Sequence, residues 1–156
     1  MKRINKISVI YSGSRKTDKI LSSIEKIINK TETEIISSVN VNSLNIRNKK
    51  RISESDLILV LGGDGTMIES IRSLHTFNIP FLGINLGTVG FLTDLSISKI
   101  SNLGDILKGK YIQEKRPVYE TFTDKDKKEI FLNEVVIHSG SVTKMLELEL
   151  SIQNQV

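Results

Sequence analysis

Cysteine is missing altogether from the 156 residues. Disulfides, thiolate zinc sites and thiol nucleophiles are therefore excluded. Histidine is almost as scarce: His75 and His138 stand far apart, without the spacing of a metal-binding pair. Aromatic residues make up only 5% of the chain, and the formal charge is a mild +4. A nucleic-acid-binding domain usually carries a denser basic patch interleaved with aromatics, so no nucleic-acid partner is expected. The one basic cluster, Lys49-Lys50-Arg51, reads as a solvated loop. Long apolar runs are missing too. No stretch approaches the about 18 apolar residues of a membrane span, and Ile7 to Tyr11 is too short for the apolar core of a signal peptide. A cytoplasmic protein with no membrane partner is the expectation.

What is present fits an ordinary globular chain, with 38% hydrophobic and 26% charged residues. The length suffices for one full domain with a sizeable core and is short for two. Lys6 to Tyr11 reads as a buried strand followed by the turn Ser12-Gly13-Ser14. Ile20, Leu21, Ile24, Ile27 and Ile28 recur at helical spacing, which predicts a helix over Thr17 to Asn29. Glu34 to Val39 gives a second strand, and the polar stretch Asn40 to Ser55 reads as loop with one helical turn. Asp56 to Leu61 is a continuous apolar run, the pattern of a central parallel strand covered on both faces. A helix over Thr66 to Leu74, a strand over Pro80 to Ile84 and a weaker helix over Ser96 to Leu107 follow. This alternation implies an α/β fold: an open, mostly parallel, Rossmann-like sheet with helices on both faces.

Past Lys110 the pattern changes. Tyr111 to Phe122, Glu129 to His138 and Met145 to Ile152 read as strands with no helix between them, and Asp124 to Lys128 as a hairpin turn. Leu146, Leu148, Leu150 and Ile152 alternate with polar residues, as in a one-sided antiparallel strand. Two domains are expected. Residues 1–110 form the α/β domain and 111–156 the first strands of an incomplete all-β domain, with strand edges left unpaired.

Three motifs carry chemistry. Gly62-Gly63-Asp64-Gly65-Thr66 lies between a buried strand and a helix, where ligands bind in an open α/β sheet. Without Cβ atoms the backbone can approach phosphate oxygens closely, and the helix start favours an anion. Asp64 is out of place beside a polyphosphate unless it binds a metal or accepts a proton. A hydroxyl nucleophile needs such a base, worth about 10²–10⁴ in rate. The plainer reading of these five residues is a tight turn with a helix cap. The second motif is the glycine-punctuated block Gly83 to Asp94, in which Asn85 offers donors and acceptors and Phe91 a ring for a planar base. Its plainer reading is a glycine-rich loop with a core phenylalanine. The third is Asn133-Glu134 within the apolar run Ile130 to Ile137. Buried there, an amide and a carboxylate would need partners, which a hydroxyl-bearing ligand supplies. A polar pair facing solvent at a bulge is the other possibility.

In this order the three motifs resemble those of the NAD kinase family. GGDGT is similar to its signature turn, GINLGTVGFLTD to its second block and LNEVVIHSG to its Asn-Glu strand. The similarity runs from about Ser53 to the end, with Lys6 to Ser12 as a looser match. The resemblance implies transfer of the γ-phosphoryl of ATP, accompanied by a divalent cation such as Mg2+, to the 2′-hydroxyl of the adenosine ribose of NAD. Asp64 would be the catalytic base. Asp64, Gly65, Phe91, Leu92, Asn133, Glu134 and Lys144 would contact NAD, with Phe91 and Leu92 walling the adenine. Gly62, Gly63, Gly65 and Thr66 would form the phosphate loop. No residue is assigned as a metal ligand.

The family also implies a homo-oligomer, and its members continue past this point through a further motif that completes the NAD site. Thr88 departs from it, standing where members often carry His or Asn. The alternatives are a non-catalytic nucleotide-binding fragment or split-gene half, and, less well matched, a lipid kinase or a phosphofructokinase-like sugar kinase sharing the GGDGT turn.

Overall fold

The computed structural model describes residues 2–13, 15–87, 90–123, 128–140 and 145–152, with only the backbone of Arg15 and Lys16. The chain divides into two compact units, Met1–Pro117 and Val118–Val156.

The first unit is built on a five-stranded sheet. Its elements are β1 (Lys6–Tyr11), α1 (Arg15–Ile28), β2 (Glu34–Asn40), α2 (Ile46–Ile52), β3 (Leu57–Leu61), α3 (Asp64–Leu74), β4 (Phe81–Asn85), β5 (Leu95–Ser96) and α4 (Leu103–Leu107). Strand order is β2-β1-β3-β4-β5, and every neighbouring pair is parallel. The fold is thus the open parallel α/β sheet that the strand–helix alternation predicts.

β3 shows why. All five of its residues are buried, and successive side chains point to opposite faces. Leu57, Leu59 and Leu61 join Ile7, Val9, Ile20, Ile24, Leu103 and Leu107, so one face is covered by α1 and α4. Ile58 and Val60 join Ile10, Ile52, Met67 and Leu74, so the other is covered by α2 and α3. Each fully buried aliphatic side chain contributes about 1.5–3 kcal/mol.

Two departures from the sequence reading have local causes. The stretch read as loop holds α2, capped by a reciprocal pair: Asn48 N–H donates to Asn45 Oδ1 at 3.1 Å, and Asn45 N–H donates to Asn48 Oδ1 at 2.7 Å. Its apolar anchor is Ile52, fully buried. The helix expected over Ser96 to Leu107 is instead a 3-10 segment, Ile97–Asn102, running into the short α4, which contains Gly104.

Asp56 ties the N-terminus to the sheet. Its carboxylate accepts from Asn5 and Lys6 N–H at 3.0 Å each and from Lys2 Nζ at 2.9 Å. Partial burial works against its charge, but these donors outweigh that effect and hold the carboxyl below its ordinary value. The same hydrogen bond raises the Lys2 ammonium.

In the second unit the described residues contain one antiparallel hairpin, β6 (Tyr119–Phe122) with β7 (Lys128–Phe131). Tyr119 and Phe131 pair across it, with ring centroids 5.3 Å apart. The expected longer strands are not formed. Residues 111–118 and 132–139 are irregular, and 145–152 has a single bridge residue, Ile152. The alternating leucines of that stretch, Leu146, Leu148 and Leu150, are exposed. An apolar face becomes a strand only when a neighbour supplies the ladder. The hairpin turn predicted at Asp124 to Lys128 falls mostly on residues outside the described set.

Candidate functional site

The strand order reverses direction between β1 and β3, since β2 lies to one side of β1 while β4 and β5 lie beyond β3. Ligands of open α/β sheets bind at such a switch point, beyond the carboxyl ends of the strands. Two loops leave the sheet there: Ser12-Gly13 after β1, and the glycine turn after β3. The turn is pinned to its neighbour strand by Gly62 N–H, which donates to the Ile84 carbonyl at 3.1 Å.

The glycines of the turn differ in their reasons. A Cβ on Gly62 would strike the Thr66 hydroxyl, so this glycine makes room for a side chain of the first turn of the helix. Gly63 and Gly65 have nothing within 4 Å of a would-be Cβ. Their bare backbone faces open space. Gly63 is the N-cap of α3 and has an extended backbone, and no side chain caps the helix. The first-turn amides are therefore arranged as in an anion site.

Asp64, the first residue of α3, does not fold back on its own helix. Its two carboxylate oxygens reach the second motif, accepting Phe91 N–H at 2.8 Å and Leu92 N–H at 3.1 Å. That loop is itself braced. Gly83 N–H donates to Asp94 Oδ2 at 2.9 Å, Asn85 Nδ2 to Thr93 Oγ1 at 3.0 Å, and Gly87 N–H to Asn85 Oδ1 at 2.7 Å. Asn85 is only 4% exposed, so its amide shapes the loop from within. Leu92 is buried beside Met67 in the core, whereas Phe91 is 90% exposed. One neighbour anchors the loop and the other presents a ring to solvent.

The structure thus brings together Gly62, Gly63, Asp64, Gly65 and Thr66 with Phe91 and Leu92. Asn133 and Glu134 belong to the second unit, in an irregular, exposed stretch and not in a buried strand. The burial inferred from their apolar neighbours is not present, because β7 ends at Phe131. Lys144 and Thr88 lie outside the described residues. Sequence reasoning missed the backbone amides of Phe91 and Leu92 as partners of Asp64. Main-chain donors leave no signature in residue identity. The one usable sign was Gly90, where a Cβ would collide with the Asp64 carboxylate.

Among the described residues no three His, Asp or Glu side chains gather into a metal-holding group. None of the described helices is long and apolar enough to cross a membrane.

The sheet, the uncapped helix start and the carboxylate define an open parallel α/β protein with a glycine turn at the carboxyl edge of its strands. The model of the ATP-NAD kinase N-terminal domain matches residues 6–111, more than half of the chain, and the chain belongs to that family. It is 40% identical over 108 residues to an NAD kinase of Aromatoleum aromaticum, covering 66% of this chain and 36% of the relative. It is 43% identical over 104 residues to one of Salmonella dublin, with 64% and 36% covered. The chain therefore spans little more than a third of the length of these relatives. Among solved structures, the yeast NADH kinase complexed with NADH superposes with a TM-score of 0.60 at 13% identity. That match covers 83% of this chain and 46% of the other, a likeness of fold.

Proposed function

We propose that the chain is the front part of an NAD kinase, which moves the γ-phosphoryl group of ATP to the adenosine ribose 2′-hydroxyl of NAD and so makes NADP. The observation that carries this reading is a carboxylate, Asp64, fixed at the mouth of a glycine turn whose Gly63 and Gly65 face open space. A sugar hydroxyl is a poor nucleophile, and a positioned carboxylate removes its proton as the bond to phosphorus forms. An ionised carboxylate offers about four acceptor positions, and the two amides leave room for a hydroxyl.

The uncapped start of α3 and the amides of Gly63, Gly65 and Thr66 neutralise phosphate charge. Phe91 lies flat against the adenine, while Leu92 holds the loop from beneath. Asn133, Glu134 and Lys144 take the adenosine of NAD. Residues 1–110 are the nucleotide-binding domain and 111–156 begin the NAD-binding one. A divalent cation would come with the phosphates of the nucleotide, as Mg2+ commonly does, and no residue of this chain is assigned to hold it. It would supply charge neutralisation there. The assembled enzyme is cytoplasmic and homo-oligomeric.

A second reading, a nucleotide-binding portion without turnover of its own, is favoured by the exposed Val135, Val136, Ile137, Leu148 and Leu150. Formation of NADP from NAD and ATP decides between them. It is measured for the chain alone and with the C-terminal portion of a relative supplied. Turnover only with that portion assigns the chain as one part of the kinase; NAD binding without turnover in either setting supports the second reading. No turnover and no NAD binding in either setting refutes both.

A further inference from the structure

We propose that Gly90 and the Phe91 and Leu92 amides are the positioning element of Asp64, and that the carboxylate in turn holds this loop against the start of α3. The catalytic meaning of this arrangement rests on the kinase reading above; the latch itself does not. Three observations carry it. Each carboxylate oxygen takes one amide, at 2.8 and 3.1 Å, across 27 and 28 residues of sequence. The carboxylate fills the space where a Cβ of residue 90 would stand. The loop's far end is rigid, because Leu92 is buried and Gly83 has backbone and side-chain bonds to Asp94. Two amides at fixed spacing define a line, so the carboxylate is held in one rotamer and its remaining acceptor positions point one way.

The test needs neither nucleotide nor turnover. Amide exchange at Phe91 and Leu92 is followed by NMR in the whole chain. In Asp64→Ala both amides should exchange about tenfold faster or more, as expected for losing a bond to a charged acceptor. Asp64→Asn keeps one acceptor oxygen and should release one amide only. Gly104→Ala, whose new methyl meets Ile27 at an ordinary 3.6 Å, should change neither. Gly90→Ala should lower the melting temperature, and adding Asp64→Ala should remove most of that loss, since the clash is with this carboxylate. Equal exchange in Asp64→Ala and the parent chain, or the same Gly90→Ala penalty with and without Asp64, would overturn the proposal. Where NADP formation is measurable, Gly90→Ala should lower kcat with little change in the KM for NAD. An effect confined to KM would refute the positioning role even if the latch exists.

Discussion

Both units carry a regular apolar pattern, continuous in β3 and alternating in 145–152, yet among the described residues only the first is buried. In Met1–Pro117 the leucines and isoleucines of β3 are covered on both faces, because α1 and α4 take one side and α2 and α3 the other. In Val118–Val156 the equally regular Leu146, Leu148 and Leu150 remain exposed. The difference lies in connection. Parallel strands come with crossover helices that bring their own cover, and an antiparallel strand waits for a neighbour further along the chain. Local pattern is a necessary condition for a strand, and pairing is the sufficient one.

The sharpest contrast between the units is chemical. In an assembly that makes NADP, Asp64→Asn is expected to cut turnover by about 10²–10⁴, with NAD binding retained. Asn133→Ala in the second unit should act chiefly on the KM for NAD. Steady-state kinetics separate the two, and an Asp64→Asn enzyme with normal kcat would remove the base assignment.

Next is stability. Leu59→Ala, at a fully buried position of β3, should cost about 2–5 kcal/mol in urea unfolding. Leu148→Ala, exposed in the second unit, should stay within about 0.5 kcal/mol. Equal losses would mean that the leucines of the tail are covered in solution.

A smaller effect comes from the clamp at the N-terminus. Asp56→Ala removes the acceptor of two backbone amides and should cost about 1–2 kcal/mol. The folded carboxyl titrates below its ordinary value of 3.8, so its contribution is complete above that pH and fades as acid carries the solution through the lower folded value. Acid unfolding of Asp56→Asn should therefore lose part of its pH dependence below about 4. A parallel acid limb in both proteins would contradict the clamp. Smallest of all is Lys128→Ala in the hairpin. Its pair with Glu120, at 2.6 Å, is half exposed and worth less than about 1 kcal/mol. A larger loss in the melt would show that the hairpin is coupled to more than itself.

Much of the first unit was legible because its signals are local. An apolar run such as Leu57–Leu61 has few alternatives to a central strand, and Ile20, Ile24 and Ile28 fix the buried face of α1. The glycine turn was legible for the same reason, since it follows a strand and opens a helix. What escaped the reading depended on partners distant in sequence or on the main chain. Asn85 looked free to meet a ligand, but Thr93 and the Gly87 amide already engage it. The burial of Leu92, beside an exposed Phe91, also had no sign in the residues themselves. α2 escaped because its cap is a pair of asparagines in a stretch that reads as polar loop. Asn133 and Glu134 were placed in a buried strand by their neighbours, and that strand needed a partner that the described residues do not supply.

Arg116 has a practical bearing on where the first unit can be cut. Its guanidinium donates to the Phe91 carbonyl at 3.3 Å, a weak link to the loop whose amides face Asp64. The family match stops at residue 111, five positions earlier. Anyone trimming the gene for crystallisation or NMR at that border would discard the guanidinium and its bond to the Phe91 carbonyl. A stop codon after Pro117 keeps it.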